Sequence, residues 1–173
     1  LNVFEGVRGY WSTDASDVFL VAVDQHLRRL RQSASILGLR ITTSDEAILD
    51  AMRAIVVAGG FREDVSLRVI CMADEIGSWS ETSATQLLIA PVPARRTRRT
   101  VDWTLRATVS SWRRIADDTM PARVKTGANY VSGRYAMLDA RSAGFDLPIL
   151  LSANGKVSEA PGSSLALVRD GVL

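Results

Sequence analysis

The chain is poor in the residues from which compact reactive centres are most often built. A single cysteine, Cys71, excludes an internal disulfide and makes a reducing, cytoplasmic setting the expectation. A single histidine, His26, gives neither a histidine-rich metal site nor a catalytic triad, so a structural role and no metal are expected. Neither sign of charge is in excess: the net charge of +2 is too small to imply a polyanionic partner. No apolar run approaches the ~18 residues of a membrane-spanning helix, so no membrane partner is expected. Internal repeats and low-complexity segments are lacking too.

What is present is ordinary for a globular protein. Apolar residues make up 47% and charged residues 23% of 173 residues, enough chain for one domain or two small ones with a real core. Val18 to Val23 is a continuous apolar run of strand length. Asp24 then reads as the cap of a helix to about Leu37, with Leu27, Leu30, Ala34 and Leu37 at helical spacing and Gly38 as the stop. Thr43-Ser44-Asp45-Glu46 reads as a capping box for a second helix, with Ile48, Met52, Ile55 and Val56 on one face and Gly59-Gly60 at its end. Val65 to Met72 alternates as a strand, Leu67, Val69 and Cys71 against Ser66, Arg68 and Ile70. A strand over Thr85 to Ala90 is expected to break at Pro91-Val92-Pro93.

The densest charge run, Ala94 to Thr100, holds Arg95, Arg96, Arg98 and Arg99. It lacks interleaved aromatics and any nucleic-acid-binding motif, so it reads as a solvated linker, and no nucleic-acid partner is expected. Beyond it, Trp103 to Ser110 reads as a strand. A helix is expected over about Asn129 to Ala143, with Val131, Tyr135 and Leu138 on one face and Gly144 as the stop. Pro148 to Leu151 reads as a strand, and Asn154-Gly155 as a hairpin turn returning through Val157 to Glu159.

Two stretches stand out chemically. Ala122 to Tyr130 places Lys125 among small and apolar neighbours just before a helix, and Lys156 to Gly162 carries the single carboxylate Glu159. Loss of hydration disfavours an ammonium and frees the amine's lone pair, so such a lysine is a plausible imine-forming group. From spacing alone, Lys125 would be a surface lysine and Arg29 a solvated charge. Arg68 could equally be an edge charge, Tyr130 a packing residue and Glu159 a hairpin glutamate in solvent.

Lys125-Thr126-Gly127-Ala128-Asn129-Tyr130, a helix, and then Gly155-Lys156-Val157-Ser158-Glu159-Ala160-Pro161-Gly162 resemble the core of the class IV aminotransferases, whose best-known members act on branched-chain amino acids. Val3-Phe4-Glu5-Gly6-Val7-Arg8-Gly9-Tyr10, His26-Leu27-Arg28-Arg29-Leu30 and Ser111-Trp112-Arg113-Arg114 resemble the same family's upstream segments. The resemblance implies the cofactor pyridoxal 5′-phosphate. It assigns an imine with the cofactor, and the substrate's proton transfer, to Lys125. It assigns the cofactor phosphate to Arg29, the phenolic oxygen to Tyr130, the pyridine nitrogen to Glu159, and a close turn to Gly162, where absence of a side chain permits approach. Arg68 would meet the distal carboxylate of glutamate or 2-oxoglutarate, with Phe4 and Tyr10 as further substrate contacts. The sequence departs from the family pattern at Val69, where a proline is common, at Ser163-Ser164, and around Pro91–Pro93, where branched-chain enzymes tend to carry an aromatic residue.

The implied fold is a two-part α/β (α+β) arrangement of the fold-type IV pyridoxal-phosphate enzymes, similar to D-amino-acid aminotransferase. A small domain is expected over 1–94, a basic linker over 95–100, and the start of a larger β-rich cofactor domain over 101–173. Chain ends inside strand-like segments make this an expected fragment with the large domain incomplete. The implied reaction is ping-pong transamination between an L-amino acid and 2-oxoglutarate, in a homodimer. Alternatives are another fold-type IV activity (aminodeoxychorismate lyase, D-amino-acid or (R)-amine transaminase) and an inactive chain serving as an interaction partner.

Overall fold

The structure, a computed structural model, describes residues 1–75, 77–94 and 104–173. The basic run 95–100 and the expected strand start at Trp103 lie outside the described residues. The chain divides into two compact units: Leu1–Arg98 with Arg123–Thr126, and Arg99–Ala122 with Gly127–Leu173.

The first unit is built on a five-stranded sheet in the order β2-β1-β4-β5-β3. Its elements are β1 (Asn2–Ser12), β2 (Asp17–Leu20), α1 (Val23–Ile36), β3 (Leu39–Arg40), α2 (Asp45–Gly59), β4 (Val65–Ala73) and β5 (Ser83–Pro93). β1 runs antiparallel to both β2 and β4, β4 runs antiparallel to β5, and β3 lies parallel to β5. Alternation puts Val3 and Val7 of β1 on the same face as Leu67, Val69 and Cys71 of β4. Leu27, Leu30 and Ala34 of α1 and Ile48, Met52 and Val56 of α2 join them in one buried apolar cluster. Each large aliphatic side chain buried there stabilises the fold by about 1.5–3 kcal/mol.

Local chemistry departs from expectation in several places. The strand expected to reach Val23 stops at Leu20, because Ala22 adopts a left-handed conformation (φ 56°) and α1 begins directly after it. Ala22 rather than Asp24 is therefore the N-cap, and Asp24 sits in the first turn, where its charge complements the helix dipole. In α2 the cap is Ser44, whose hydroxyl accepts from the Ala47 N–H at 3.2 Å. Ala47 occupies the position where a reciprocal capping box needs Glu or Gln, so only half of that device exists. Gly60 closes the helix with φ 58°, a conformation glycine adopts without Cβ strain.

The prolines do not break β5, which continues to Pro93. Ala94 N–H donates to the Asp64 carbonyl at 2.8 Å, which makes Val65–Pro93 and Leu67–Pro91 the non-hydrogen-bonded pairs of the ladder. Pro91 and Pro93 thus turn their missing donors away from β4, and no ladder bond is lost.

The second unit holds a three-stranded sheet in the order β6-β7-β8: β6 (Ala107–Arg113), β7 (Leu147–Leu151) and β8 (Val157–Glu159). A 3-10 turn over Gly127–Tyr130 leads into α3 (Val131–Ser142). β6 covers Ser111 to Arg113, later in the chain than expected. The buried face of α3 is not the one that carries its bulky apolar residues. Gly133, Ala136 and Ala140 are buried, whereas Val131, Tyr135 and Leu138 are 47%, 46% and 49% exposed. Small residues let the helix approach closely: a Cβ at Gly133 would stand 3.2 Å from the Pro161 Cβ.

Candidate functional site

In the first unit, β1 carries two consecutive side chains to opposite faces, and each gathers charged partners. Glu5 is fully buried on the face of the apolar cluster. It accepts from Arg29 Nε at 2.5 Å and Nη2 at 2.7 Å, and its Oε2 lies 2.8 Å from His26 Nδ1. Both partners stand on α1, three residues apart, so they share one side of that helix. Burial pushes the Glu5 carboxyl up, but hydrogen bonds from Arg29 and His26, with the charges of both, outweigh it and hold the group below its ordinary value.

On the other face the Phe4 ring meets two cations. The Arg68 guanidinium lies 4.5 Å and the Lys125 amine 5.0 Å from its centroid. β1 and β4 bring Phe4 and Arg68 together, since Gly6 pairs with Arg68 and Phe4 with Ile70. Lys125 is held through its main chain. Its N–H donates to Ser33 Oγ at 3.0 Å, its carbonyl accepts from the Phe4 N–H at 3.0 Å, and the preceding Val124 is buried in the apolar cluster. The lysine is half-buried. Tyr10 stands further along β1, about 20 Å from Phe4 at the rise of an extended strand. There the Arg8 guanidinium lies 5.6 Å from its ring, and 39% of Tyr10 is exposed.

In the second unit, Glu159 ends β8 opposite Leu150 and receives Arg114 Nε at 2.5 Å. Arg114 follows β6, and its Nη1 also donates to the Asn129 carbonyl, while its N–H donates to the Leu151 carbonyl at 2.9 Å. Asn129 is buried and donates to the Pro121 carbonyl at 3.2 Å, which ties the loop before Lys125 to the start of α3. Tyr130 caps α3 with its ring partly exposed. Ala160 and Ser163 exchange two backbone hydrogen bonds of 3.1 Å around Pro161-Gly162. Proline then glycine at φ 73° is the signature of a type II turn. A Cβ at Gly162 would meet nothing within 4 Å, so glycine is needed there for its conformation and not for internal packing. An open cleft of about 330 Å³ beside this pair is lined by Arg114, Asp117, Ser152, Asn154 and Ser158, among others.

Taken unit by unit, these side chains carry chemistry that a phosphorylated pyridine aldehyde calls for. A guanidinium, Arg29, answers a phosphate; a primary amine, Lys125, answers a carbonyl. A carboxylate, Glu159, suits a protonated ring nitrogen, and a phenol, Tyr130, suits a phenolate oxygen. Each of the four retains some solvent exposure. Among the described residues no group of three or more His, Cys, Asp or Glu is arranged to hold a metal. Cys71 is buried, and burial pushes its thiol up to about 11, so it stays a protonated core residue.

Three contributors escaped the sequence reading as individuals: Glu5, Ser33 and Arg114. Glu5 had a visible signal, a carboxylate amid an apolar strand, which is costly unless partnered. Ser33 occupies a buried helix position with a hydroxyl to satisfy, and Arg114 directly follows a strand.

A family model described as amino-transferase class IV matches residues 2–173. The probable branched-chain-amino-acid aminotransferase of Aquifex aeolicus is 30% identical over 176 residues, which span 98% of this chain and 55% of that protein. The branched-chain-amino-acid aminotransferase of Salmonella typhimurium is 32% identical over 177 residues, 99% of this chain and 56% of that protein. Among solved structures, the branched-chain amino acid aminotransferase from Thermobaculum terrenum in its PLP form matches with a TM-score of 0.87 and 32% identity, over 98% of this chain and 56% of that one. The chain thus spans a little over half the length of these relatives.

Proposed function

This chain belongs to the class IV aminotransferase family, and we propose that it carries the lysine and the principal cofactor-binding side chains of a pyridoxal 5′-phosphate enzyme. That enzyme moves an amino group from an L-amino acid of branched-chain type to 2-oxoglutarate. The observation that carries this reading is the seat of Lys125. Its backbone is tied to Ser33 and Phe4 by bonds of 3.0 Å, and its amine lies over the Phe4 ring rather than in open solvent.

The cofactor, when bound, supplies an electron sink conjugated to the substrate's α-carbon. Lys125 removes the proton from that carbon and returns one elsewhere, a general acid–base role. Arg29 takes the phosphate with its planar fork. Tyr130 donates its hydroxyl proton toward the phenolic oxygen, and Glu159, oriented by Arg114, keeps the ring nitrogen protonated. Gly162 keeps the turn after Glu159 in its required shape. Arg68, exposed on β4, receives the distal carboxylate of the 2-oxo acid. Phe4 supplies apolar contact to the substrate, whereas Tyr10, about 20 Å further along β1, stands too far away to touch the same small molecule. The names of the relatives support the branched-chain donor. A cytoplasmic homodimer with small-molecule partners completes the reading. Among the described residues, no helix is long and apolar enough to cross a membrane.

The test is transamination by the natural full-length protein, with leucine, isoleucine and valine as donors and 2-oxoglutarate or pyruvate as acceptor. Arg68→Ala should raise KM for 2-oxoglutarate at least roughly tenfold while leaving that for pyruvate within about twofold. A wild-type preference for pyruvate, or equal effects of Arg68→Ala on both acceptors, would remove the 2-oxoglutarate assignment.

A further inference from the structure

We propose that Glu5 is the positioning residue for Arg29, selecting which edge of the guanidinium is presented to a phosphate. The inference rests on the reading that Arg29 takes the cofactor phosphate, and it concerns a residue that reading leaves without a task. A guanidinium is flat and offers N–H groups along two edges. Glu5 holds the Nε–Nη2 edge with bonds of 2.5 and 2.7 Å, so the Nη1 end is directed away from the carboxylate.

The carboxylate that does this is itself immobile. It is fully buried on a central strand of the sheet, with Val69 opposite it on β4. Its Oε2 is held a second time, by His26 Nδ1 at 2.8 Å. With that nitrogen donating, His26 acts as a brace for Glu5, which accounts for the chain's lone histidine without any catalytic duty. Half of the Arg29 side chain is exposed, against none of Glu5. A half-exposed cation is thus held on its inner side by a buried anion. Arginine has several rotatable bonds whose freedom must be lost on binding a ligand, and a partner that fixes them in advance strengthens binding although it contributes a like charge to the ligand's own. The two effects oppose one another, and their balance is measurable.

The experiment uses the natural full-length protein freed of cofactor. Affinities for pyridoxal 5′-phosphate, for pyridoxal lacking the phosphate, and for inorganic phosphate are measured by absorbance or calorimetry in the wild type, Glu5→Gln and Arg29→Gln. Glu5→Gln should weaken pyridoxal phosphate and inorganic phosphate by roughly tenfold or more, with pyridoxal within about twofold. Arg29→Gln should show the same selectivity with a loss at least as large. Unchanged or tighter phosphate binding in Glu5→Gln, or an equal loss for pyridoxal, overturns the positioning role. If Arg29→Gln itself leaves phosphate discrimination intact, the assignment of Arg29 fails instead, and the inference with it. Should Glu5→Gln not fold, Glu5→Asp, which keeps the charge but shortens its reach, is judged by the same ratio.

Discussion

The two units solve the problem of burial differently. The first has a continuous core in which large aliphatic side chains such as Leu30, Ile48, Met52 and Leu67 are sealed between a five-stranded sheet and two helices. The second buries mainly small residues, Gly133, Ala136, Ala140 and Ala160, with Pro148 and Leu150 as its larger members. Its bulky apolar groups, including Val109, Trp112, Tyr135 and Leu138, are 42–61% exposed. The same contrast recurs in the carboxylate–arginine pairs. Glu5 is fully buried beneath a half-exposed Arg29, whereas Glu159 is 37% exposed over a mostly buried Arg114. In one pair the anion is the fixed partner, and in the other the cation is. The lesson is that the core can hold either member of a carboxylate–arginine pair and leave the other turned more toward solvent.

Core truncation probes this comparison with the largest effect. Met52→Ala should cost about 2–5 kcal/mol by leaving a cavity in the first unit. Leu138→Ala, on the exposed face of α3, should stay within about 0.5 kcal/mol. Denaturant unfolding of both variants checks the difference, and equal losses would show that the second unit's exposed face is not the weak contributor described here.

The acid limb of stability sharpens the comparison of the two carboxylates. Glu5 is held below its ordinary value of 4.5 in the folded state, so its contribution is complete above that pH and is lost as pH falls through the lowered folded value. Glu5→Gln should therefore flatten the pH dependence of stability below about pH 4.5. An unaltered acid limb in thermal melts would remove Glu5 as its source.

A smaller effect than at Met52 is expected at the turn after Glu159. Gly162→Ala should cost about 1–2 kcal/mol, the penalty of a Cβ in the left-handed conformation, with no steric addition. A loss well above that, seen by denaturant titration, would mean that the turn is crowded.

Much of the first unit is legible in the sequence because its signals are local. The alternation of β4, the apolar stripe of α1 and the glycine stop of α2 need only neighbouring residues to be read. The second unit hides its inner helix face, because Gly133, Ala136 and Ala140 carry little hydrophobic signal, whereas Val131, Tyr135 and Leu138 carry a strong one and point elsewhere. Family motifs single out Lys125, Arg29 and Glu159. The groups that hold them are harder to find because their links span distant parts of the chain: Ser33 is 92 residues from Lys125, and Glu5 is 24 from Arg29. Pro91 and Pro93 mislead for a related reason, since whether a proline breaks a strand depends on which edge its nitrogen faces.

The account turns on Lys125, and the most direct measurement is the visible absorption spectrum of the natural full-length protein with pyridoxal phosphate, before and after Lys125→Ala. The account predicts an imine band with Lys125 that is absent without it, together with a fall in transamination of at least roughly 10²–10⁴-fold. A band of equal intensity in both proteins, or none in the wild type at saturating cofactor, would contradict it.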